Sequence, residues 1–126
     1  MREVLLVGAG GCLGAIARHL LGGVLAAAPG AHRFPLGTLV VNVLGCALIG
    51  VFAALAERMP GLEGPARLFL VTGLLGGFTT FSAFGLETTL LLRRGDAVLA
   101  GSYVAASVAL GLAAVWLGMR LATVAR

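Results

Sequence analysis

The sequence predicts an all-α membrane protein with four transmembrane helices per subunit and a break in the third. Three observations carry that reading. Of 126 residues, 60% are hydrophobic and only 11% charged, with a mean hydropathy of +1.06. Soluble domains average about 25% charged residues, so this chain has too little polar surface to solvate a globule. The apolar residues fall into four runs joined by short polar connections, each reaching the roughly 20 residues that cross a hydrocarbon layer. The third run contains GGFTTFSAF, a poor helix sequence inside lipid.

The first helix is expected at about 4–27, as a retained span rather than a cleaved leader, because Arg18 interrupts the apolar stretch. APGAHRFP, with two prolines and a glycine, ends it. Gly8, Gly10 and Gly14 imitate a dinucleotide-binding turn, but that turn needs a strand before it and a βαβ unit around it. They read instead as a packing face. Arg18 lies well inside the span, and intramembrane charge usually faces a cavity or a partner. A vestibule cation that attracts anions is favoured over a side chain snorkelling to the interface.

The second helix, about 36–55, opens with PLGTLVVNVLG and closes in AERMPGLEGP. Asn42 is its strongest polar residue, and an amide in hydrocarbon is costly without a partner. An interhelical hydrogen bond and a donor facing an ion path fit it equally well. Thr38 sits one turn earlier on the same face. Cys12 and Cys46 both lie in apolar runs and read as small packing residues, not as a disulfide.

The third helix, about 66–92, stops at RRGD. Gly73 and Gly77 match Gly10 and Gly14 as small-xxx-small pairs that let helix backbones approach closely. Gly76 and Gly77 followed by two β-branched threonines predict a local break. A break frees backbone groups, which a membrane tolerates only where they are buried in protein or bind ions or water. Carbonyl oxygens suit a hard cation, while amides and hydroxyls suit an anion. Phe81 and Phe84, three residues apart, share a face, and the positive edges of their rings can meet a small anion. Filling of the core or contact with lipid is the plainer role for such rings, and spacing alone does not displace it. Glu87 reads as a carboxylate near a helix end, partnered or hydrated, in preference to a proton or cation relay. On the fourth helix, about 97–122, Tyr103 and Ser107 offer hydroxyls to one face, although a membrane serine often bonds back to its own helix.

An even number of spans puts both termini and the second loop on one side. That side carries Arg2, Arg58, Arg67, Arg120 and Arg126 against Glu3, Glu57 and Glu63; the other carries Arg33, Arg93 and Arg94 against Asp96. The net is balanced, so the positive-inside signal is weak and insertion in both orientations is allowed. Two copies can then pair antiparallel, and four short helices leave little room for a path inside one copy. The nine basic residues are all arginines spread between apolar runs, which argues against nucleic-acid binding. No nucleophile, general base or hydrolase pattern is present, so no enzyme is expected.

GGCLGAIAR at 10–18, PLGTLVVNVLG at 35–45 and GLLGGFTTFSAFGLE at 73–87 resemble the three signatures of the Fluc (CrcB-type) fluoride channels. The resemblance implies an antiparallel dual-topology homodimer in a bacterial inner membrane, with two fluoride pores along the subunit interface. It implies a structural Na⁺ at the dimer centre, held by backbone carbonyls of Gly76 and Thr79. It implies that Phe81 and Phe84 turn ring edges to fluoride and that Asn42 is a pore donor. Tyr103 and Ser107 match the family's hydroxyl track, and Arg18 its aqueous vestibule. Two positions depart from the pattern. Gly111 stands where a second hydroxyl often appears, leaving water or Thr80 to fill that end of the track, and His19 stands where an aromatic is commoner. The function implied is passive export of fluoride. A small dual-topology multidrug or cation transporter is the alternative; it needs a carboxylate deep in the first helix, where this chain carries Arg18. A purely structural subunit would have no reason to ring a broken helix with hydroxyls and phenylalanines.

Overall fold

The computed structural model describes residues 1–27 and 33–124. The Pro29–Gly30 terminator and Arg126 of the charge count lie outside the described residues. Every regular element among them is helical: α1 (Arg2–Ala26), α2 (Leu36–Ala56), a 3₁₀ turn (Pro60–Leu62), α3 (Pro65–Arg67), a π-helical stretch (Leu68–Leu75), α4 (Gly76–Phe78), α5 (Phe81–Arg93) and α6 (Ala97–Val124). Together α3, the π-helical stretch, α4 and α5 make a third span, Pro65–Arg93, and all four spans are long and apolar enough to cross a membrane. Large apolar side chains along them, such as Val4, Leu20, Leu48, Leu112 and Leu121, stand exposed. In water that would be an aggregation surface; in lipid it is the ordinary outer face.

The bundle is assembled from two close pairs, each seated on glycine. In the first pair, α1 lies against the third span. A Cβ on Gly10 would stand 3.1 Å from Gly73 Cα, and one on Gly73 would stand 2.8 Å from Val7 O. A Cβ on Gly14 would meet the backbone of Leu74 and Phe78, and one on Gly77 the backbone of Gly11. These small-xxx-small faces bring main chain against main chain. Gly8 is the exception to the packing face predicted for it, because nothing lies within 4 Å of its Cβ position. In the second pair, α2 packs along α6, with Gly50 on the backbone of Val115 and Gly118 on the backbone of Ala47 and Val51. Cys46 belongs to this seam, its sulfur 3.5 Å from the Gly111 Cβ position, whereas Cys12 is exposed; both are free thiols.

The RRGD turn is built by hydrogen bonds that close α5. Gly95 has φ +83, its N–H donates to Leu92 O at 3.0 Å, and the Asp96 N–H donates to Leu91 O at 3.0 Å. That is a Schellman closure, which needs a residue free to adopt positive φ. Asp96 O then accepts from Ala100 N at 2.9 Å and starts α6. Beside this turn, Leu39, Leu91, Ala100 and Tyr103 form a buried cluster, with Phe34 and Phe84 packed on it.

Candidate functional site

The break does not fall at the glycines. Gly76 and Gly77 are helical within α4, and the helix fails after Phe78. Thr79 (φ −86, ψ 157) and Thr80 (φ −151, ψ 113) are extended. Glycine is a weak helix former but does not compel a break; side chains from two other helices and the span's own threonines hold it open. The Thr79 N–H and hydroxyl both donate to Leu75 O, at 3.0 and 2.9 Å. Asn42 of α2 clasps the next residue: its Oδ1 accepts from Thr80 N at 2.8 Å, and its Nδ2 donates to Thr80 O at 3.1 Å. Thr80 Oγ1 accepts from Ala83 N at 3.2 Å and so caps α5. From α1, Arg18 Nε donates to Gly77 O at 3.1 Å.

Beside the break lies an open groove of about 390 Å³ between α2, the third span and α6. Asn42, Gly76, Thr79, Thr80, Phe81, Phe84 and Ser107 all line it. Phe81 and Phe84 pair with ring centroids 5.5 Å apart, tilted by 41°. Phe84 rests on the subunit, while Phe81 is 83% exposed and projects from it. Across the groove, the buried Ser107 hydroxyl has no hydrogen-bond partner, the only such buried side-chain atom among the described residues. The common back-bond of a membrane serine is therefore not made.

Two of the residues singled out in the sequence stand outside this groove. Arg18 is half-buried on the α1 side, bound to Gly77. Tyr103 is fully buried. Its ring meets Phe84 at 5.3 Å and, edge-on, Phe34 at 5.5 Å, and its hydroxyl donates to Glu87 Oε2 at 2.7 Å. Thr38 donates to Glu87 Oε1 at 2.7 Å. Glu87 is thus a partnered carboxylate, but it sits mid-helix rather than near an end and gathers α2 and α6 around α5. It also lines a smaller cavity of about 190 Å³ together with Phe34 and two arginines, Arg33 and Arg94. The pairing of Thr38 with Glu87 was missed in the sequence. The only signal for it was that Thr38 shares a helical face with Asn42, and both do turn toward the third span.

Among the described residues, no three His, Cys, Asp or Glu side chains come together to hold a metal ion. At the break, Gly76 O has lost its helical partner, because Thr80 N is taken by Asn42, and the extended ψ of Thr79 turns the Thr79 carbonyl out of the ladder.

Residues 5–119 match the family described as CrcB-like protein, Camphor Resistance (CrcB). The chain belongs to the CrcB family. It is 46% identical over 121 residues to a fluoride-specific ion channel FluC of Methylobacillus flagellatus, covering 96% of this chain and 94% of that one. It is 49% identical over 121 residues to a FluC of Rhizobium etli, covering 96% of each, and 47% identical over 121 residues to a FluC of Granulibacter bethesdensis, covering 96% and 94%. Four spans together with this CrcB membership make the chain a multi-pass bacterial membrane protein. All three stretches quoted above fall inside the matched residues.

Proposed function

We propose that this CrcB protein is a passive, fluoride-selective channel that lets the anion leave the bacterial cytoplasm. The observation that carries the reading is the unpartnered hydroxyl of Ser107, a residue lining the same groove as the Phe81–Phe84 ring pair. A small anion needs donors that replace its water without a strong counter-charge that would trap it. A hydroxyl, ring edges and the second hydrogen of Asn42 Nδ2 supply that, since Thr80 O uses only one of the two. HF crosses lipid, ionises inside and accumulates as F⁻, and a negative-inside potential drives the ion out through a passive path. The transporter alternative needs a carboxylate deep in α1, whose one acidic residue is Glu3 in its first turn.

The pore is assigned to Asn42, Thr80, Phe81, Phe84 and Ser107, with Tyr103 backing Phe84 at its far end. Arg18 provides the positive charge of a vestibule. The functional unit is an antiparallel homodimer of dual topology, in which a second copy covers the groove and the projecting Phe81 reaches into it. The balanced arginine count and the exposure of Phe81 support that arrangement. A structural Na⁺ fits the carbonyls of Gly76 and Thr79, hard oxygen donors freed by the break. Gly76 is exposed on the groove side, where carbonyls of both copies can meet. The ion would neutralise those dipoles and tie the copies together.

The test is fluoride efflux from reconstituted liposomes with a valinomycin–K⁺ shunt. Fluoride should leave far faster than chloride and need no proton gradient. Equal rates for the two anions, or a requirement for a proton gradient, would end the channel reading.

A further inference from the structure

We infer that Asn42 and Arg18 are positioning residues for the cation site, because they decide which carbonyls of the break stay free. The inference rests on the sodium reading above. In an unbroken helix, Gly76 O and Gly77 O would accept from the amides four residues on. Here the Thr80 amide that belongs to Gly76 is drawn away by Asn42 Oδ1 at 2.8 Å. The Asn42 Nδ2 hydrogen bond to Thr80 O, at 3.1 Å, makes the diversion two-point and holds Thr80 extended. One side-chain amide thus imitates a neighbouring strand and keeps the helix from healing through Thr80. Gly76 O is left without its helical donor, and Gly76 itself is exposed and lines the groove, where a Cβ would find only Val71 O at 3.6 Å.

Gly77 is treated in the opposite way. It faces α1 so closely that a Cβ would stand 2.9 Å from Gly11 Cα. Its carbonyl is occupied by Arg18 Nε at 3.1 Å. A fixed guanidinium on that carbonyl repels a second cation there. Arg18 and Asn42 approach from different helices and capture successive parts of one short segment. The outcome is selective: Gly77 O is filled, Thr80 is filled on both sides, and Gly76 O is left without a donor. Asn42 therefore serves two ions by different atoms, the cation through its Oδ1 acceptor and fluoride through the spare Nδ2 hydrogen.

The experiment titrates Na⁺ into purified protein in N-methylglucamine buffer and reads melting temperature and dimer fraction, with liposome fluoride flux measured alongside. Wild type should be stabilised by Na⁺. Asn42→Leu should move the Na⁺ midpoint up by about tenfold or more, because the Thr80 amide returns to Gly76 O. Asn42→Asp keeps the acceptor and should hold the midpoint within about threefold of wild type while flux is lost. Should Asn42→Leu fail to fold, Arg18→Lys decides: it keeps the charge but loses the Nε contact with Gly77 O, and its Na⁺ midpoint should rise. Unchanged Na⁺ midpoints in Asn42→Leu and Arg18→Lys, with wild type responding to Na⁺, would overturn the positioning role and leave the sodium reading standing. A wild type indifferent to Na⁺ would overturn both.

Discussion

The two halves of the third span are built on opposite plans. From Leu68 to Phe78 the span is gripped by α1 through glycines, with main chain on main chain and Gly73 and Gly77 both in close contact. Beyond the break, α5 turns side chains toward α2 and α6: Phe81 and Phe84 to the groove, and Glu87 to Thr38 and Tyr103. The first half is seated on α1 through backbone contacts, with Gly76 as its one residue exposed to the groove, and the second leaves a projecting ring beside a groove that Ser107 also lines. The difference teaches that close packing and chemistry are largely segregated along one helix, meeting at Gly76 and the extended pair Thr79–Thr80.

Gly14→Val attacks the gripped half and should have the largest effect. Its Cβ would stand 2.8 Å from Phe78 N, and backbone cannot step aside cheaply. A loss of about 3 kcal/mol or more is expected, visible as failure to recover monodisperse protein on size exclusion. A well-behaved Gly14→Val dimer would dissolve the comparison. On the chemical half, Phe81→Ile should leave the subunit fold intact, since the ring is 83% exposed within it. Liposome fluoride flux should nevertheless fall by about tenfold or more, roughly 1.4 kcal/mol in barrier; unchanged flux removes Phe81 from the pore.

Ser107→Ala sharpens the contrast further, because it separates the two currencies. Removing a buried hydroxyl without a partner should leave the melting temperature unchanged or raise stability by up to about 1 kcal/mol, while fluoride flux drops. A fall in stability with normal flux would make Ser107 a packing residue. Gly8→Ala should give the smallest effect. It lies on α1 like Gly14, yet nothing is within 4 Å of its Cβ position, so better helix propensity should gain up to about 1 kcal/mol in thermal denaturation.

Much of this was legible in the residues. Hydropathy and run length sufficed for four spans, because lipid leaves a backbone few ways to satisfy itself. GGFTTF announced a break, and the glycine spacing announced the α1 seam. The exact place of the break was not legible, since it depends on Asn42 arriving from 38 residues away to take both the amide and the carbonyl of Thr80. The π-helical register of Leu68–Leu75 was also hidden, as LFLVTGLL looks like ordinary apolar helix. The burial of Tyr103 by Phe34, Phe84 and Glu87 was not legible either, because its neighbours come from separate parts of the chain.

By itself the sequence determined what is local and periodic: the four apolar lengths, the glycine faces, the weak point in the third span and the residue types gathered around it. Tertiary structure alone decided which backbone groups at that weak point are filled and which remain free. Hydrogen bonds between residues far apart in the chain have no signature in periodicity. They exist only once α1 and α2 have brought Arg18 and Asn42 against the same few residues of the third span.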